Sequence, residues 1–197
     1  MSDPIATSII AAQAFRFMQL SAISSFADTS PQAVAAAEQY PIAMGICLEE
    51  QDWSFARRLV KLPEAELPEG RQSDPDLPYV YELPGDCVKL RLVVDETVRW
   101  RLDERTIFAS ASGGLMVRYT RRVTNEALLP ALFQTSVAYQ LAILLSPAYV
   151  GSRSKRKELV EDGASALAYA KQNDARSASA DSWDGFSHND WVAEATS

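Results

Sequence analysis

The chain has 197 residues, of which 47% are hydrophobic and 23% charged, and its formal net charge is −7. This length and composition are typical of one globular domain with its own core and room for an appendage. The acidic balance argues against a dedicated nucleic-acid-binding protein, and we expect no membrane span because no apolar run approaches the ~18 residues that a span needs.

Charge is spread unevenly along the chain. Residues 49–86 hold ten acidic and four basic residues, whereas residues 87–122 hold eight basic and four acidic ones. The run RSKRK at 153–157 adds four positive charges, and the segment from residue 174 onward has five acids and one base. Such asymmetry favours contact between copies or with a partner of mixed charge, the alternative being a set of solvated faces.

Two helices are predicted first, over residues 4–26 and 31–51. The first is apolar nearly all round, which predicts a buried helix. Ser30 followed by Pro31 is typical of an N-cap and a first turn. Pro41 lies inside the second pattern and is expected to kink or split that helix.

The second helix carries two further expectations. Val34, Ala37, Met44 and Leu48 fall on one face, which predicts the side that meets the core. The helix closes on the acidic stretch EEQDW, and acids at this end oppose the helix dipole. A positive charge on a partner would compensate for them.

A sheet is predicted over about residues 55–122, after Trp53 and Phe55, which we expect to pack in the core. The proline-rich stretch 63–78 is expected to be an exposed loop. LPGD at 83–86 is expected to be a turn between strands, with Tyr79 and Tyr81 half-buried before it.

The predicted strands follow one another as an antiparallel meander. Turns are expected at Asp95-Glu96, at Asp103-Glu104 and at Gly113-Gly114. The alternating stretch TVRWRL predicts an apolar face, to cover a helical layer, and a basic face. The apolar face holds Val98, Trp100 and Leu102, and the basic face holds Arg99 and Arg101.

Two more helices are expected over residues 128–145 and 153–173, with Asn125 as an N-cap before the first. The fold class is then α+β: a four-helix bundle with an inserted antiparallel β-meander and an extended C-terminal tail. We expect residues 1–173 to form one domain and residues 174–197 to be a docking tail.

The predicted tail follows the small polar run ARSASA and is unusually aromatic. Segments without a core are normally poor in large aromatic residues. Trp183, Phe186 and Trp191 are therefore candidate anchors that are buried when the tail meets a partner. The alternative is a frayed end whose aromatic residues are incidental.

No pattern typical of an enzyme or a metal site is found. His188 is the sole histidine and lies in the predicted tail, and no phosphate-binding glycine motif is present. Cys47 and Cys87 lie in apolar contexts and are predicted to be buried free thiols, with a disulfide or a metal site as the alternative. We therefore predict no catalytic residue, no cofactor and no metal, and an unrecognised enzyme site is the alternative.

Two sets of basic residues are candidates for subunit or partner contacts. The sheet set is Arg99, Arg101, Arg121 and Arg122, and the helix set is Arg153, Lys155, Arg156 and Lys157. The sheet set, with Arg118 and Tyr119, has the composition of a phosphate-binding face. The alternative is that these arginines pair with the acidic region 49–86 of the same or the next copy.

An ordered series of motifs carries a family likeness over about residues 8–192. The stretches are YPIAMGICLEEQDWSFARRLVKLPE, YVYELPGDCVKLR, LMVRYTRRVTNEALLPALF with QLAILLSP, and YAKQNDA before a polar linker and a terminal Asp-Trp. In this series the chain resembles the phage head–tail adaptor (connector) family. That group includes tail tubular protein A of podophages and the adaptors of siphophages and gene-transfer particles.

The resemblance implies a structural virion protein of the neck, present in the host cytoplasm before assembly. It implies a homo-oligomeric ring, a dodecamer, between the portal protein and a stopper or tail protein. Genomic DNA would pass through its lumen without sequence-specific binding. Trp183 and Trp191 both resemble the family's terminal tryptophan, but the family's final arginine is missing and Glu194 stands near its place, so the portal contact would differ in detail.

A second reading of the same residues is a non-enzymatic adaptor module of another macromolecular assembly. Portal and capsid genes next to the gene for this chain would favour the first reading over the second.

Overall fold

A computed structural model describes residues 8–67, 70, 72 and 74–178 of the chain. Within these residues the fold is mixed α and β, with four α-helices and two small antiparallel sheets, as the coarse fold class predicted. The helices are α1 (Ile9–Phe17), α2 (Pro31–Glu49), α3 (Ala131–Tyr149) and α4 (Arg153–Ala178). The strands are β1 (Arg57–Leu62), β2 (Tyr79–Glu82), β3 (Cys87–Val93), β4 (Trp100–Asp103), β5 (Thr106–Ala109) and β6 (Leu115–Arg121).

The first helix is shorter than predicted, since α1 ends at Phe17 rather than near residue 26. Gln19 follows it with a left-handed φ of 61°. The N–H of Gln19 donates to the carbonyl of Arg16, and the N–H of Leu20 donates to that of Phe15, each at 2.9 Å. This pair of bonds is a Schellman cap, in which glycine usually takes the left-handed position. Because glutamine occupies this position, the sequence pattern did not indicate that the helix ends here.

The second helix begins where the sequence predicted and is not split by its proline. The Oγ of Ser30 accepts a hydrogen bond from the N–H of Ala33 at 3.3 Å. Pro41 lies inside an unbroken helix. Because proline has no N–H, the carbonyl of Ala37 lacks its intrahelical donor, and Ala37 lies on the exposed side where water can serve it.

The third helix is central and packs against α1, α2 and α4. By length and composition α3 could cross a membrane, and in the described part of the chain it is the one helix that could. The expectation that no segment is apolar enough was therefore wrong. Of its most apolar stretch, 44% is buried inside the fold, and the core helix of a globular protein has the same composition.

The strands form two sheets, with the orders β1-β6-β3 and β2-β5-β4. The predicted turn at Asp103-Glu104 does join a hairpin, in which β4 pairs antiparallel with β5. The connections at residues 95–96 and 113–114 are not hairpins, because each joins strands of different sheets. Gly113 and Gly114 have φ values of 79° and 101°, so glycine is needed where the chain crosses between the sheets.

The two sheets share a buried apolar cluster. It consists of Leu62, Tyr81, Leu83, Cys87, Val93, Ile107, Ala109, Leu115, Val117 and Tyr119. Tyr81 is fully buried rather than half-buried, and its hydroxyl donates to the carbonyl of Ala111 at 2.6 Å. The predicted turn at residues 83–86 is present, with the N–H of Cys87 donating to the carbonyl of Pro84 at 2.9 Å.

A second cluster lies among the helices and holds the predicted core aromatics. Trp53 is 1% exposed, and its ring meets that of Phe133 at a centroid distance of 4.9 Å. Phe55 contacts Phe133 at the same distance. Cys47 and Cys87 are free and buried, as predicted.

Candidate protein-interaction surface

The acidic end of α2 is balanced by side chains of its own chain. The guanidinium of Arg91 donates to the carbonyl of Leu48 at 2.9 Å and to that of Gln51. The ammonium of Lys89 donates to the carbonyl of Glu49 at 3.3 Å. Cations bonded to the last carbonyls of a helix offset its dipole. No partner is needed to compensate for the acids here.

Glu50, beside these carbonyls, pairs with α4. Its Oε2 lies 2.6 Å from the Nζ of Lys171. The hydrogen bond from Lys171 holds the pKa of the Glu50 carboxyl below its usual value. This ion pair ties the end of α2 to the second half of α4.

A β-bulge explains how Arg91 reaches the helix. The register of β3 against β6 shifts between Leu90 and Leu92. The shift turns Arg91 toward Thr120, whose Oγ1 accepts from the Arg91 Nε at 2.7 Å. Bulges of this kind are not visible in a strand pattern, which is why the sequence did not single out Arg91.

The carboxylate of Asp174 fastens α4 to the segment before β1. It accepts from the hydroxyl of Ser54 at 2.6 Å, from the Ser54 N–H at 3.1 Å and from the amide of Gln51 at 3.3 Å. Asp174 is 8% exposed, so these bonds satisfy a buried charge. The helix continues to Ala178, past its predicted end at residue 173.

Glu126 makes a similar tie at the other end of the helical layer, which sequence reasoning also missed. Its carboxylate accepts from the hydroxyl of Ser8 at 2.6 Å and from that of Tyr40 at 2.5 Å. Burial, reinforced by Glu126, raises the pKa of the Tyr40 hydroxyl well above its usual range. Asn125 is an N-cap as predicted, accepting from the N–H of Ala127 at 3.0 Å, but it caps the short 3-10 helix Glu126–Leu128. The predicted helix α3 begins only at Ala131, with no side-chain cap.

Arg99 and Arg101 of the predicted sheet set pair with acids of the same chain. An Nη of Arg101 lies 3.0 Å from an oxygen of Asp74, and Arg99 lies 3.7 Å from Asp76. Arg101 also lies 5.3 Å from the centre of the Phe108 ring. For these two arginines, the prediction of pairing with region 49–86 is confirmed.

The structure does not bring the whole sheet set onto one strand or one sheet. Arg99 precedes β4 and Arg101 lies on it, whereas Arg121 ends β6 in the other sheet. Arg122 follows β6, and its backbone N–H donates to the carbonyl of Asp86 at 2.7 Å. Neither Arg121 nor Arg122 makes an ion pair within the described ranges.

The helix set lies on the first turn and a half of α4. Lys155 and Lys157 pair within the helix, with Glu158 and Glu161, each at 3.4 Å. The Oγ of Ser152 accepts from the Lys155 N–H at 3.3 Å and serves as a cap. Of the set, Arg153 and Arg156 have no ion pair in the part of the chain that the structure describes, so they remain candidates for a partner contact.

The apolar row predicted to cover the helices instead faces the other sheet. Trp100 pairs with Ala109, and Leu102 pairs with Ile107, and both partners belong to the cluster between the sheets. The row lies at the margin of this cluster, since Trp100 is 43% exposed and Leu102 is 37% exposed.

Among the described residues, exposed apolar side chains are grouped on one helix and on one sheet. The first, which we call the α2 stripe, consists of Val34, Ala37, Pro41, Ile42 and Ile46. Val34, Ile42 and Ile46 share one side of the helix, since positions four and eight apart do so, and Ala37 and Pro41 lie at the edge of that side. Of the four residues predicted to meet the core, Met44 and Leu48 are buried as predicted, whereas Val34 and Ala37 are exposed. The other buried residues of α2 are Ala33, Ala36, Ala43 and Cys47. Because α2 is apolar on both sides, periodicity could not tell the buried face from the exposed one.

The second surface, which we call the sheet patch, consists of Leu59, Val94 and Met116. They are 62%, 46% and 38% exposed, respectively. Val117 and Leu115, the neighbours of Met116 on β6, are buried in the inter-sheet cluster. Side chains alternate along a strand, so the sheet patch lies on the outer side of this sheet.

Asp52 lies beside the sheet patch between two arginines. One of its oxygens is 3.0 Å from the Nε of Arg118 and 3.2 Å from that of Arg57. The Arg118 contact has the distance of an ion pair but not the direction of a hydrogen bond, and the other oxygen of Asp52 has no donor within the described residues. The outer side of the sheet is thus apolar with a basic margin.

No side-chain group suited to metal binding occurs in the described ranges, where three His, Cys, Asp or Glu nowhere come together. Burial raises the pKa of the Cys47 thiol to about 12, so this cysteine stays protonated and unreactive near neutral pH. The predicted anchors Trp183, Phe186 and Trp191 lie outside the described residues.

The arrangement therefore offers surfaces for protein contact: an exposed apolar stripe on α2, an apolar patch with a basic margin on a sheet, and unpaired arginines on α4. No protein-family model matches this chain, and no curated protein matches it.

Proposed function

We propose that this chain is a non-enzymatic head–tail adaptor: a subunit of a ring, a dodecamer, that joins the portal protein to a stopper or tail protein. The four helices would form the bundle layer of the ring, and the two sheets its inserted β layer. The protein would act in the virion neck and reside in the host cytoplasm before assembly.

The α2 stripe carries this proposal. Val34, Ile42 and Ile46 are 47%, 49% and 37% exposed on a helix whose opposite side is already packed. A surface helix that is apolar on both sides is typical of one that meets a second protein. A closed ring uses one surface of each subunit against a different surface of the next, and the stripe is suited to such a contact.

The charges support the same proposal. Arg99 and Arg101 are engaged within the chain, which leaves Arg121, Arg122, Arg153 and Arg156 for subunit or portal contact. The net charge of −7 suits a lumen through which DNA passes without sequence-specific binding. The tail residues Trp183, Phe186 and Trp191 are the proposed portal anchors.

Particles that lack the protein test the role. Negative-stain imaging should show DNA-filled heads without tails, or heads that have lost their DNA. Normal tailed particles in the absence of the protein would contradict the proposal, and loss of some other assembly would favour the second reading, an adaptor of a different complex.

A paired substitution tests the surface. Ile42→Asp with Ile46→Asp should leave the chain folded by circular dichroism but abolish the joining of tails in a complementation assay. Val160→Asp is the matched control, because Val160 is 51% exposed on α4 and outside the stripe. Equal tail joining by both variants would show that the stripe is not an assembly surface.

A further inference from the structure

We propose that residues 179–197 bind in cis to the sheet patch of the same chain when no partner is present. The occupant is this chain's own C-terminal segment, held by its aromatic residues on Leu59, Val94 and Met116 and by its acids on the basic margin. The inference concerns the free chain, goes beyond the adaptor role and does not depend on it.

The sheet patch has the composition of an interaction site. Leu59 is 62% exposed although it lies in the middle of β1, with Arg57 and Lys61 two positions away on the same side. Across the sheet, Leu59 pairs with Arg118, and Lys61 pairs with Met116. With Val94 and Met116 it forms an exposed apolar group beside basic residues, and apolar patches rimmed by polar residues are typical of interaction sites.

The charges of the two parts are opposite. Residues 179–197 contain four acidic residues and no lysine or arginine. The outer side of β1 and β6 carries Arg57, Lys61 and Arg118, against the single carboxylate of Asp52. Lys61 makes no ion pair in the described part of the chain. Complementary charge of this kind orients an acidic aromatic segment on a basic apolar surface.

The described end of α4 lies beside the residues that lead into β1. Asp174 is hydrogen-bonded to Ser54, and Lys171 to Glu50. The 3-10 helix Ser54–Ala56 leads directly into β1 at Arg57. The last turn of α4 therefore ends near the beginning of β1.

The reach of the segment is sufficient. Trp183 is five residues beyond Ala178, which allows a span of up to ~17 Å at ~3.4 Å per residue. The six residues of β1 extend over ~20 Å. Trp183, Phe186 and Trp191 can thus lie over different parts of the sheet. A tether this short keeps the local concentration of the segment at about the millimolar level, so a weak contact is enough.

Fluorine NMR of the full chain labelled with 5-fluorotryptophan tests the inference. The chain has four tryptophans, so four resonances are expected, each assigned by a Trp→Phe variant. The resonances of Trp183 and Trp191 should differ from those of a synthetic peptide of residues 179–197. In Leu59→Asp they should move to the peptide positions, while the Trp53 resonance stays in place and reports that the helical core is folded.

Matched variants complete the test. Val160→Asp, an exposed change on α4, should leave the Trp183 and Trp191 resonances unshifted. If Leu59→Asp disturbs Trp53, Lys61→Glu replaces it and should shift both tail resonances toward the peptide positions. Wild-type resonances at the peptide positions, or equal effects of Leu59→Asp and Val160→Asp, would overturn the proposal.

Further outcomes distinguish docking in cis from docking on a second copy and from the adaptor role. Tail resonances that return to the peptide positions on dilution would mean that the segment binds a second copy, which overturns binding in cis. If the tail does not dock in cis but particles without the protein fail to join tails, the adaptor role holds and the present inference is wrong. If the tail docks in cis but normal tailed particles form without the protein, the present inference holds and the adaptor role is wrong.

Discussion

The two sides of α2 are almost equally apolar but have opposite environments. Ala36, Met44 and Leu48 are buried against the other helices, whereas Val34, Ile42 and Ile46 are exposed. This difference indicates that the apolar residues of α2 serve two purposes. One side supplies folding stability, and the other is free for contact with another molecule, so substitutions on the two sides should have separable effects.

The largest expected effect contrasts Leu48 with Ile46. Leu48→Ala removes a side chain that is 0% exposed and should lower the free energy of unfolding by about 2–5 kcal/mol through lost burial and a cavity. Ile46→Ala, 37% exposed on the same helix, should change it by about 0.5 kcal/mol or less. Urea unfolding followed by circular dichroism measures both free energies of unfolding. Equal losses in the two variants would contradict the proposed difference between the two sides of α2.

Asp174→Ala extends the contrast to the polar contacts that hold the helical layer. It removes the charged acceptor of three hydrogen bonds, those from the N–H and hydroxyl of Ser54 and from the amide of Gln51, so we expect a loss of about 2–3 kcal/mol. Asp162→Ala is the control, because Asp162 is exposed on the same helix. The same urea assay applies, and a loss no larger than that of the control would mean that the tie is not stabilising.

Arg91→Met should have a smaller effect of about 2 kcal/mol. The change removes the charged donor from the carbonyls at the end of α2 but keeps most of the apolar stem. Arg58→Met, exposed on β1, serves as the control. Thermal unfolding of the two variants should differ by several degrees, and identical midpoints would refute the role of Arg91 as a cap.

The smallest expected effect depends on pH. The folded pKa of Glu50 is lowered by Lys171, so its stabilisation is complete above the ordinary glutamate pKa and is lost as pH falls through the lowered value. Glu50→Gln and Lys171→Met should each remove this part of the acid sensitivity, and the double variant should remove no more. Unfolding free energies measured between pH 3 and pH 7 test it, and additive effects would show that the two residues act separately.

Several features were predictable because they depend on neighbouring residues alone. The Ser30 cap, the Asn125 cap, the turn at residues 83–86 and the hairpin at Asp103-Glu104 all follow from local hydrogen bonding and backbone preference. The end of α1 escaped prediction although it is also local, because Gln19 occupies a position where glycine is the usual signal.

The mixed class, the positions of the strands and the buried thiols could be predicted from the sequence, which also offered pairing of the arginines with the acidic region of the same or the next copy. Only the packed fold shows that two arginines pair within the chain, how six strands divide into two sheets, which apolar residues of α2 stay exposed and which cations close its acidic end. The physical reason is distance along the chain. Periodicity and capping act over a few residues, whereas Arg91 and Leu48, or β1 and β6, are brought together only when the whole core has packed.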